Sequence, residues 1–558
     1  MYILGIHCGH DATAALIKDN DIIAVIQEER KSRIKHQNGF PKLAVKEVLD
    51  IAGITAKDID YIAIAGNDRR MQSVRELIWA LRGRRFYSYL GMWRRIKTVI
   101  ADYTLNAWKF YNNLKEYGLH DKKRFYFEHH LCHASSAYRN SGADKALIIT
   151  IDGVGDDVSS SVNIGDKGKI TRIASNGPED SIGFLYQAVT EALDFVPVEG
   201  EYKTMGLAAY GDKTKLFNYF DDIVSCKDMH FKSKYLWESQ WNFPAPTITQ
   251  HTIFKELLAR YKREDVAASC QAVAENLMYS FVKDAVEKTG IRTICAAGGV
   301  FLNVKANKII REKAKPDRFY IHPDSGDGGL ALGAAQELYF KLKGGVPAKK
   351  LEKVYFGRAY SNAEIESELG KHKVRFSYFT DIDKKAAELL CAGKVIGWVQ
   401  GRMEMGPRAL GNRSVLADPR NPAVKELINK HLKKRDWFVP FAPSIIDEDS
   451  YTFIRDFDKD ALFMIMAYDA KDEKKSMIPA VVHVDDTIRP QIVKESINPL
   501  YWKLIKSFKD ISGVGVLLNT SFNRHGLPIV ESPKDAIEHL TNANVDILVI
   551  GNYVVERL

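Results

Sequence analysis

Residues 2–29, YILGIHCGHDATAALIKDNDIIAVIQEE, contain the pattern that decides the fold. Their apolar start predicts a strand, residues 7–11 predict a polar turn, and the rest predicts two strands joined at residues 19–21. Residues 146–175, ALIITIDGVGDDVSSSVNIGDKGKITRIAS, repeat this order of strand, loop and hairpin. The sequence therefore predicts an internal repeat, whose two loops face each other across a cleft and expose backbone N–H groups suited to phosphate.

The length and composition indicate a large folded protein of several domains. The chain has 558 residues, of which 46% are hydrophobic and 27% are charged. These proportions are typical of globular proteins and exclude a disordered chain or a small disulfide scaffold. The first residues show neither a signal peptide nor a spanning helix, so a cytoplasmic location is expected. The six cysteines form no CxxC pair, which favours reduced thiols over a zinc ribbon or redox motif.

A change in composition near residue 350 predicts the boundary between two domains. Residues 344–357, GGVPAKKLEKVYFG, are rich in glycine, proline and lysine, as linkers often are. We therefore predict an N-terminal domain over residues 1–345, a linker over 346–355 and a C-terminal domain over 356–558. Strand patterns such as KVIGWVQ alternate with helix patterns such as SPKDAIEHL in the last part, which predicts an α/β or α+β domain.

One segment accounts for the whole positive excess of the protein. The formal net charge is +9, and residues 69–124 contain 14 Lys/Arg against 4 Asp/Glu, a difference of +10. Aromatic side chains lie among its arginines at Trp79, Phe86, Tyr87, Tyr89 and Trp93. This mixture is typical of contacts with nucleic acid, anionic lipid or an acidic substrate. Three interpretations stay open: a solvated helical insertion, a segment that lies against an anionic membrane, and a helical lid over the N-terminal cleft whose arginines meet an anionic nucleotide sugar or donor phosphate.

The stretch FEHHLCHASSAY, residues 127–138, places histidines where they can share a metal ion. His129 and His133 are four residues apart and lie on one face of a predicted helix, the spacing that lets two imidazoles bind one ion. The zinc-protease motif HExxH is excluded, because His130 follows His129. Asp152, in the repeated loop, and Asp327, in SGDGG, are the candidate carboxylate ligands. Two imidazoles with two carboxylates suit iron or manganese and do not exclude zinc.

Two glycine-rich stretches predict a nucleotide site in the N-terminal domain. AAGGVFLNVKANKII begins at residue 296 and HPDSGDGGLALGAA begins at residue 322. In each, small residues lie where a strand or loop meets a helix, which permits close approach of a nucleotide. The candidate residues are Gly298, Gly299 and Asn303, and the alternative is that they are packing glycines and a helix cap.

Cations in loops of the C-terminal domain predict a polyanion pocket. They lie in GWVQGRMEMGPRALGNRSVLADPRN, residues 397–421, and in NKHLKKRDWFVPFAPS, residues 429–444. The residues concerned are Arg402, Arg408, Arg413, Lys433, Lys434 and Arg435. Arginine beside glycine favours charge-assisted binding of phosphate, whereas ordinary surface arginines are the alternative.

These motifs together resemble the O-carbamoyltransferases of the NodU, CmcH and TobZ type over essentially the whole chain. The matching stretches, in order, are GHDATAAL, EERKSRIKH, HHLCHASSAY, IDGVGDD, KTMGLAAYG, GGVFLNVKAN, SGDGGLALGAA, GRMEMGPRALGNRSVLADPR, KKRDWFVPFAPS, IRPQIV and LLNTSFNRHGLPIVESPKDA. The resemblance implies an α/β fold with two domains. The first would be a duplicated, Kae-like domain of the actin, sugar kinase and Hsp70 superfamily, and the second a YrdC-like domain.

The resemblance also implies a reaction divided between the domains. The C-terminal domain would form carbamoyl adenylate from carbamoyl phosphate and ATP with Mg²⁺, and the N-terminal domain would pass the carbamoyl group to an acceptor hydroxyl. His10 matches the position of a general base toward that hydroxyl. The residues that match ligands of Fe²⁺ or another divalent metal are His129, His133, Asp152 and Asp327.

Further positions follow from the same resemblance. Those that match the surroundings of ATP and the adenylate are Arg408, Lys433, Arg489, Asn519 and Ser521. Those that match the carbamoyl phosphate side are His129, Asp152 and Ser181, and Lys35 matches the acceptor side. Lys434 is an alternative to Lys433, because both precede Arg435. Val439 stands where many relatives have arginine, so one polyanion contact is expected to be absent or replaced.

The expected partners are carbamoyl phosphate, ATP and a hydroxylated small-molecule or sugar acceptor, and nucleic acid is not expected. Two other functions stay open: a tRNA threonylcarbamoyladenosine-type transferase, which the basic segment favours, and a nucleotide-binding regulator without turnover. The acceptor, the metal and the oligomeric state do not follow from the sequence. Under the membrane interpretation, the protein would make a peripheral contact at the inner membrane face.

Overall fold

The structure is a computed structural model that describes residues 1–67, 106–234, 250–459, 462–542 and 545–558, with residues 97 and 100. The described chain forms two compact units. The first contains Met1–Glu28 and Asn38–Lys350, and the second contains Glu29–Gln37 and Leu351–Leu558. The short segment Glu29–Gln37 is therefore far in sequence from the rest of its own unit. The assignment of one reaction step to each domain stays a prediction.

The first unit begins with a five-stranded sheet formed largely by residues 2–29. Its strands are β1 (Tyr2–His7), β2 (Thr13–Lys18), β3 (Asp21–Gln27), β4 (Tyr61–Ala65) and β5 (Lys123–Phe127). The spatial order is β3-β2-β1-β4-β5, with β1 antiparallel to β2 and parallel to β4. Asp19 adopts the left-handed conformation in the β2–β3 turn, which its short polar side chain tolerates. The predicted strand, loop and hairpin are confirmed.

A second five-stranded sheet repeats this topology later in the first unit. Its strands are β6 (Lys145–Gly155), β7 (Val158–Asp166), β8 (Lys169–Asn176), β11 (Thr293–Ala297) and β12 (Arg318–Ile321), and a separate pair is formed by β9 (Val224–Lys227) and β10 (His230–Ser233). The spatial order is β12-β11-β6-β7-β8, with β6 antiparallel to β7 and parallel to β11. The order and the strand directions match those of the first sheet, which confirms the predicted internal repeat and the duplicated α/β architecture.

Helices surround these sheets along residues 28–343. They are α1 (Glu28–Ser32), α2 (Lys42–Ala52), α3 (Ala107–Glu116), α4 (His129–Arg139), α5 (Ile182–Ala192), α6 (Glu201–Leu207), α7 (Phe217–Asp221), α8 (Gln250–Leu258), α9 (Arg263–Thr289), α10 (Val304–Ala314) and α11 (Leu330–Lys343). Helix α1 lies almost wholly within Glu29–Gln37 and therefore belongs to the second unit. Helices α2, α4 and α11 pack against strands of the two sheets.

Helix α11 packs closely against both β1 and α4. A Cβ added at Gly5 of β1 would lie 2.0 Å from the carbonyl oxygen of Ala331. A Cβ added at Gly333 of α11 would lie 2.0 Å from the carbonyl oxygen of Cys132 in α4. Glycine is therefore required at both positions by the close approach of the backbones. This packing holds the end of β1, the start of α11 and the histidine-bearing helix α4 in one place.

A mixed eight-stranded sheet forms the centre of the second unit. Its strands follow the spatial order β13-β22-β21-β14-β15-β20-β16-β19, and β17 pairs separately with β18. The strands are β13 (Val374–Tyr378), β14 (Ile396–Val399), β15 (Arg413–Ala417), β16 (Ala442–Ile446), β17 (Tyr468–Asp469), β18 (Thr487–Ile488), β19 (Gln491–Val493), β20 (Val516–Ser521), β21 (Ile547–Ile550) and β22 (Tyr553–Arg557).

Helices pack on this sheet and complete the second unit. They are α12 (Asn362–Leu369), α13 (Ile382–Cys391), α14 (Val424–Leu427), α15 (Ser450–Phe453), α16 (Pro499–Ser512) and α17 (Pro533–Asn542), and a π-helix, Ile428–Lys433, continues α14. The core contains Trp398, Tyr501 and Phe508, none of which is exposed. The α/β class is confirmed, and the likeness of this unit to YrdC stays a prediction.

Three further expectations concern the surface and the thiols. Within the described ranges, no helix is long and apolar enough to cross a bilayer. The six cysteines are free thiols, as their spacing predicts. The aromatic residues of the basic segment, Trp79, Phe86, Tyr87, Tyr89 and Trp93, lie outside the described residues. The membrane and lid interpretations of residues 69–124 therefore stay predictions.

Replacing Gly333 by alanine is expected to destabilise the first unit by about 1–3 kcal/mol, because the new methyl group overlaps the Cys132 carbonyl and separates α11 from α4. The free energy of unfolding in urea measures this. Gly370→Ala is the matched control, because Gly370 has a right-handed helical conformation and a Cβ there would meet no atom closer than 3.6 Å. Equal stability of the two variants would contradict the close packing.

Candidate functional site

Four predicted ligands come together at the centre of the first unit. His129 and His133 lie on α4, Asp152 lies where β6 becomes irregular after Ile151, and Asp327 lies just before α11. The Nε2 atoms of His129 and His133 lie 3.2 and 3.1 Å from Oδ2 of Asp152. Both Nε2 atoms also lie 3.5 Å from Oδ1 of Asp327. The structure therefore brings together residues that are up to 198 positions apart in sequence.

The start of helix α4 determines where its two imidazoles lie. The Glu128 side chain caps the helix by accepting a hydrogen bond from the backbone N–H of Leu131. The backbone N–H of His129 donates to Oδ2 of Asp156 over 2.8 Å. One helical turn later, His133 lies on the same face with none of its side chain exposed. Two fixed imidazoles therefore approach one carboxylate pair from the same helix.

The charges of this cluster stabilise one another. Burial lowers the pKa of His129, but the carboxylates of Asp327 and Asp152 outweigh burial and raise this pKa to about 9. Burial and the like charge of Asp327 raise the pKa of Asp152, but the bonds from His129 and His133 outweigh both and hold it below its usual value. Burial and the neighbouring charge of His129 lower the pKa of His133, but hydrogen bonds to Asp152 and Asp327 outweigh both and raise it. A divalent cation would supply the same positive charge between neutral imidazoles.

The donor atoms fit a divalent metal ion. One nitrogen or oxygen from each of His129, His133, Asp152 and Asp327 can be chosen so that all four lie within 4.8 Å of one another. Two imidazole nitrogens and two carboxylate oxygens form a donor set suited to iron or manganese and compatible with zinc. The four residues match the predicted ligand set, and their role as ligands of Fe²⁺ or another metal stays a prediction.

His130 does not belong to this ligand set. Its Nε2 atom donates to the carbonyl of Val158 over 2.8 Å, and its Nδ1 atom accepts from the hydroxyl of Thr150 over 2.7 Å. Burial and the neighbouring histidines hold the pKa of His130 well below its usual value. Both ring nitrogens are therefore used, and the ring is neutral and structural.

His10 lies beside the carboxylate pair and remains accessible. Its Nε2 atom lies 3.5 Å from Oδ2 of Asp327, and its Nδ1 atom lies 3.4 Å from Oδ2 of Asp11. Half of the His10 side chain is exposed, so a substrate hydroxyl can reach it. The carboxylate of Asp327 outweighs burial and raises the pKa of His10.

The predicted donor and nucleotide residues of the first unit have structural contacts. The hydroxyl of Ser181 caps α5 by accepting from the N–H of Phe184, and it donates to the carbonyl of Gly153 over 2.7 Å. The side-chain oxygen of Asn303 accepts from the N–H of Ala306 and from the amide group of Gln271. These bonds agree with the cap interpretation of Asn303, and a nucleotide or donor role for either residue stays a prediction.

Gly298 and Gly299 lie directly behind Asp152. Gly298 has φ +105, and a Cβ there would lie 2.1 Å from the carbonyl oxygen of Ile151. The N–H of Gly299 donates to Oδ1 of Asp152 over 3.3 Å. The two glycines therefore let the loop after β11 approach Asp152 and donate a hydrogen bond to its carboxylate. This structural role does not depend on a bound nucleotide.

In the second unit, Lys433 and Ser521 are in direct contact. The Nζ atom of Lys433 donates to the backbone carbonyl of Ser521, to its hydroxyl over 3.1 Å, and to Oδ1 of Asn523 over 2.7 Å. These partners are neutral oxygens. Burial lowers the pKa of Lys433 well below its usual value, and the charges of Arg435 and Lys35 lower it further. Lys434, the alternative, is exposed.

Three more predicted residues join this group. Burial and the positive charges of Arg408 and Arg435 hold the pKa of Arg489 well below its usual value. No described carboxylate forms an ion pair with Arg489. The amide of Asn519, at the end of β20, donates to the carbonyl of Ala409, the residue after Arg408. Lys433 therefore contacts Ser521, Asn519 reaches the residue after Arg408, and the charges of Arg408 and Arg489 act on each other. The role of these five residues around ATP stays a prediction.

Other predicted cations have different positions. Arg413 is fully buried and donates to backbone carbonyls that include those of Glu531 and Gln400. Arg402 donates to the carbonyls of Gly357 and Phe356. These two arginines therefore stabilise loops through backbone carbonyls. The spacing of arginines in the motif does not distinguish them from arginines that bind a phosphate. Lys35 belongs to the second unit, where its charge helps to lower the pKa of Lys433. Its role on the acceptor side stays a prediction.

Sequence reasoning missed three contributors to these clusters. His7, buried at the end of β1, lies 3.6 Å from Oδ2 of Asp327 and 3.1 Å from the carbonyl of His10. Asp156 anchors α4, and Asn523 holds Lys433. The first histidine in IHCGHD and the second aspartate in IDGVGDD are the signals that could have identified the first two.

Comparisons with known proteins assign both halves of the chain to one family. The model described as carbamoyltransferase N-terminus matches residues 2–336, and the model described as carbamoyltransferase C-terminus matches residues 387–557. Nodulation protein NolNO of Sinorhizobium fredii is 35% identical and aligns over 98% of this chain and 79% of its own length. The 3'-hydroxymethylcephem-O-carbamoyltransferase of Amycolatopsis lactamdurans is 26% identical over 100% of this chain and 99% of its own length.

One solved structure aligns with part of this chain. Component A of the (R)-2-hydroxyglutaryl-CoA dehydratase from Acidaminococcus fermentans covers 61% of this chain, and the match covers 98% of that structure. The sequence identity is 18% and the TM-score is 0.35.

His133→Ala is expected to lower divalent-metal affinity at least about 100-fold, because it removes one of the four predicted ligands. Elemental analysis of the purified protein, with added Fe²⁺, Mn²⁺ or Zn²⁺, measures the metal content. His130→Gln is the control from the same helix, and it should keep the metal content of the wild type even if it unfolds more easily. Wild-type metal content in His133→Ala would contradict the site.

Proposed function

Because the chain belongs to the carbamoyltransferase family, we propose that it transfers the carbamoyl group of carbamoyl phosphate, through carbamoyl adenylate formed with ATP, to an acceptor hydroxyl. A sugar-containing or other small-molecule acceptor is proposed. The observation that carries this proposal is the buried Lys433, whose Nζ atom donates to the hydroxyl of Ser521 and to Oδ1 of Asn523, both neutral oxygens. The charge of Arg408 acts on Arg489 in the same unit. Cations of this kind are suited to the phosphates of ATP.

The chemistry requires activation before transfer. A hydroxyl is a weak nucleophile and a carbamoyl carbonyl is a weak electrophile, so a good leaving group is needed on the carbonyl carbon. Water would first cleave carbamoyl phosphate to carbamate and inorganic phosphate. An oxygen of the carbamate would then attack the α-phosphorus of ATP, which releases pyrophosphate and forms carbamoyl adenylate with AMP as the leaving group. We assign this step to the second unit, where Arg408, Lys433 and Arg489 would neutralise the developing phosphate charge. Asn519 and Ser521 would orient the nucleotide from the end of β20.

We assign the transfer step to the first unit. His10 would accept the proton of the acceptor hydroxyl as that oxygen attacks the carbamoyl carbon, and its half-exposed ring supports this role. Because Asp327 raises the pKa of His10, this role requires a bound cation that neutralises the charge of Asp327 and so lowers the pKa of the ring. His129, His133, Asp152 and Asp327 would hold a divalent metal, with Fe²⁺ as the proposed ion. The ion, when bound, would orient the donor phosphate and polarise the carbamoyl carbonyl. Lys35 and Ser181 keep their proposed acceptor and donor roles.

The small-molecule interpretation has more support than the tRNA alternative. The cephem O-carbamoyltransferase aligns over essentially its whole length with this chain. The basic segment that favoured tRNA lies partly outside the described residues, so it adds no structural support for nucleic acid. A cytoplasmic location and a peripheral contact of residues 69–124 with an anionic membrane stay proposals.

Arg408→Ala and His10→Ala are expected to stop different steps. Arg408→Ala should abolish pyrophosphate release from ATP in the presence of carbamoyl phosphate, because it removes a cation of the phosphate cluster. His10→Ala should retain pyrophosphate release and slow carbamoyl transfer about 10²- to 10⁴-fold, because it removes the proton acceptor. Pyrophosphate and carbamoylated product are quantified in the same reactions. If His10→Ala blocks pyrophosphate release as severely as Arg408→Ala, the division of steps is wrong.

The wild-type protein is expected to carbamoylate at least one member of a panel of hydroxylated sugars and nucleotide sugars. Mass spectrometry should show the gain of one carbamoyl group in place of a hydrogen, and the gain should require both ATP and carbamoyl phosphate. His10→Ala serves as the matched negative control. A product that forms equally well without ATP would contradict the adenylate route.

A further inference from the structure

The buried residue His7 lies at the base of the loop that carries His10. It is the last residue of β1, and the pairing between β1 and β2 ends at His7 and Thr13, so residues 8–12 form the connecting loop. His7 is 5% exposed, whereas half of the His10 side chain is exposed. A buried imidazole therefore lies three residues before the accessible histidine to which the transfer step is assigned.

The Nε2 atom of His7 carries a proton and donates it to the His10 loop in a hydrogen bond. Nε2 lies 3.1 Å from the backbone carbonyl oxygen of His10. A carbonyl oxygen can only accept, so Nε2 is the protonated ring nitrogen in this contact. The other ring nitrogen, Nδ1, is buried and has no hydrogen-bond partner among the residues that the structure describes. His7 therefore acts on its surroundings through Nε2.

Two further contacts fix the position of the His7 ring. A Cβ added at Gly9 would lie 2.7 Å from Nε2 and 2.8 Å from Cε1 of His7, so the backbone of the loop lies directly against the ring. The ring of His129 in α4 meets the ring of His7 edge-on, with the ring centres 6.5 Å apart and the planes at 76°. The His7 ring therefore contacts both the His10 loop and the helix that carries two of the predicted metal ligands.

The two oxygens of Asp327 face different partners. Oδ1 lies 3.5 Å from the Nε2 atoms of His129 and His133. Oδ2 lies 3.5 Å from Nε2 of His10 and 3.6 Å from Nε2 of His7, and the His7 contact is electrostatic because this distance exceeds that of a hydrogen bond. Rotation of the carboxylate would therefore change both sets of contacts at once. Groups that contact a metal-binding carboxylate on the side away from the ion orient it, and His7 is placed to do so.

We propose that His7 is a positioning residue for the transfer step: its Nε2–H holds the loop of His10 and orients Asp327 toward the other predicted metal ligands. This assignment rests on the proposed function, in which His10 accepts the proton and Asp327 holds the ion. Loops are more mobile than the strands they connect, and a displacement of about 1 Å in a reacting group can slow a reaction about 100-fold. One buried N–H thus fixes His10 and Asp327 relative to each other.

The test compares His7→Leu with His7→Gln in the full-length protein. Leucine has a similar volume but no donor, whereas the amide nitrogen of glutamine can reach the position of Nε2 and donate to the His10 carbonyl. In calorimetric titrations of the metal-free protein with Mn²⁺, His7→Leu should bind the ion about 10- to 100-fold more weakly than the wild type, because Asp327 loses a group that orients it. His7→Gln should recover most of the affinity.

Carbamoyl transfer is measured with a sugar of the panel described above that the wild type modifies. His7→Leu should slow transfer about 10- to 100-fold and leave pyrophosphate release unchanged, because His7 belongs to the first unit. A general loss of folding would lower both rates. His130→Gln is the matched control, because His130 is a buried histidine of the same unit whose Nε2 donates to the carbonyl of Val158. It should retain Mn²⁺ affinity and transfer.

Wild-type Mn²⁺ affinity in His7→Leu would overturn the assignment, and so would an equal loss of affinity in His7→Leu and His7→Gln, which would indicate packing alone. If His7→Leu does not fold, Gly9→Ala replaces it, because the new methyl group displaces Nε2 of His7. Unchanged Mn²⁺ affinity in Gly9→Ala would then overturn the assignment. If the wild type releases no pyrophosphate and modifies no sugar, the proposed function fails, whereas the Mn²⁺ titrations still decide whether His7 orients Asp327.

Discussion

The carboxylate of Asp152, whose side chain is only 16% exposed, is the group on which the arrangement of the first unit depends. Its Oδ1 atom accepts from the N–H groups of Gly153 and Gly299, and its Oδ2 atom lies against both imidazoles of α4. A charge buried at this depth is costly unless it is paired and hydrogen-bonded. Three elements must therefore lie next to this carboxylate: the end of β6, the loop after β11 and helix α4. The glycines at positions 5 and 333 allow α11 to pack closely enough for this arrangement.

In the second unit, the charge that must be stabilised is positive. Its predicted ATP-side residues include the cations Arg408, Lys433 and Arg489, and Lys433 is hydrogen-bonded to neutral oxygens instead of to carboxylates. Such an arrangement keeps the cations charged only at a cost, and a negatively charged substrate would remove that cost. The first unit, in contrast, balances its own charges with two carboxylates and two imidazoles. The first unit therefore contains both the negative and the positive groups of its cluster. The second unit contains the positive groups, and a bound ligand would supply the negative charge.

Local patterns predicted much of the fold and part of each site. The alternation and turn residues in 2–29 predicted a hairpin that the structure contains, and the repeat in 146–175 predicted the second sheet. The spacing of His129 and His133 predicted a shared helix face, because helical periodicity is a local property. The contribution of His7 and the membership of Glu29–Gln37 in the second unit were not predicted, because both depend on contacts distant in sequence.

The sequence by itself determined the α/β class, the internal repeat, the helical pair of histidines and the concentration of cations in two loops, because each depends on neighbouring residues. Only the tertiary structure decided which charged groups meet. Arg413 and Arg408 stand in one motif, yet Arg413 is bound to backbone carbonyls and Arg408 acts on Arg489. Asp152 and Asp327 are far apart in the chain and share two imidazoles. The physical reason is that burial and pairing of charge depend on the packing of distant elements, which local residue patterns do not specify.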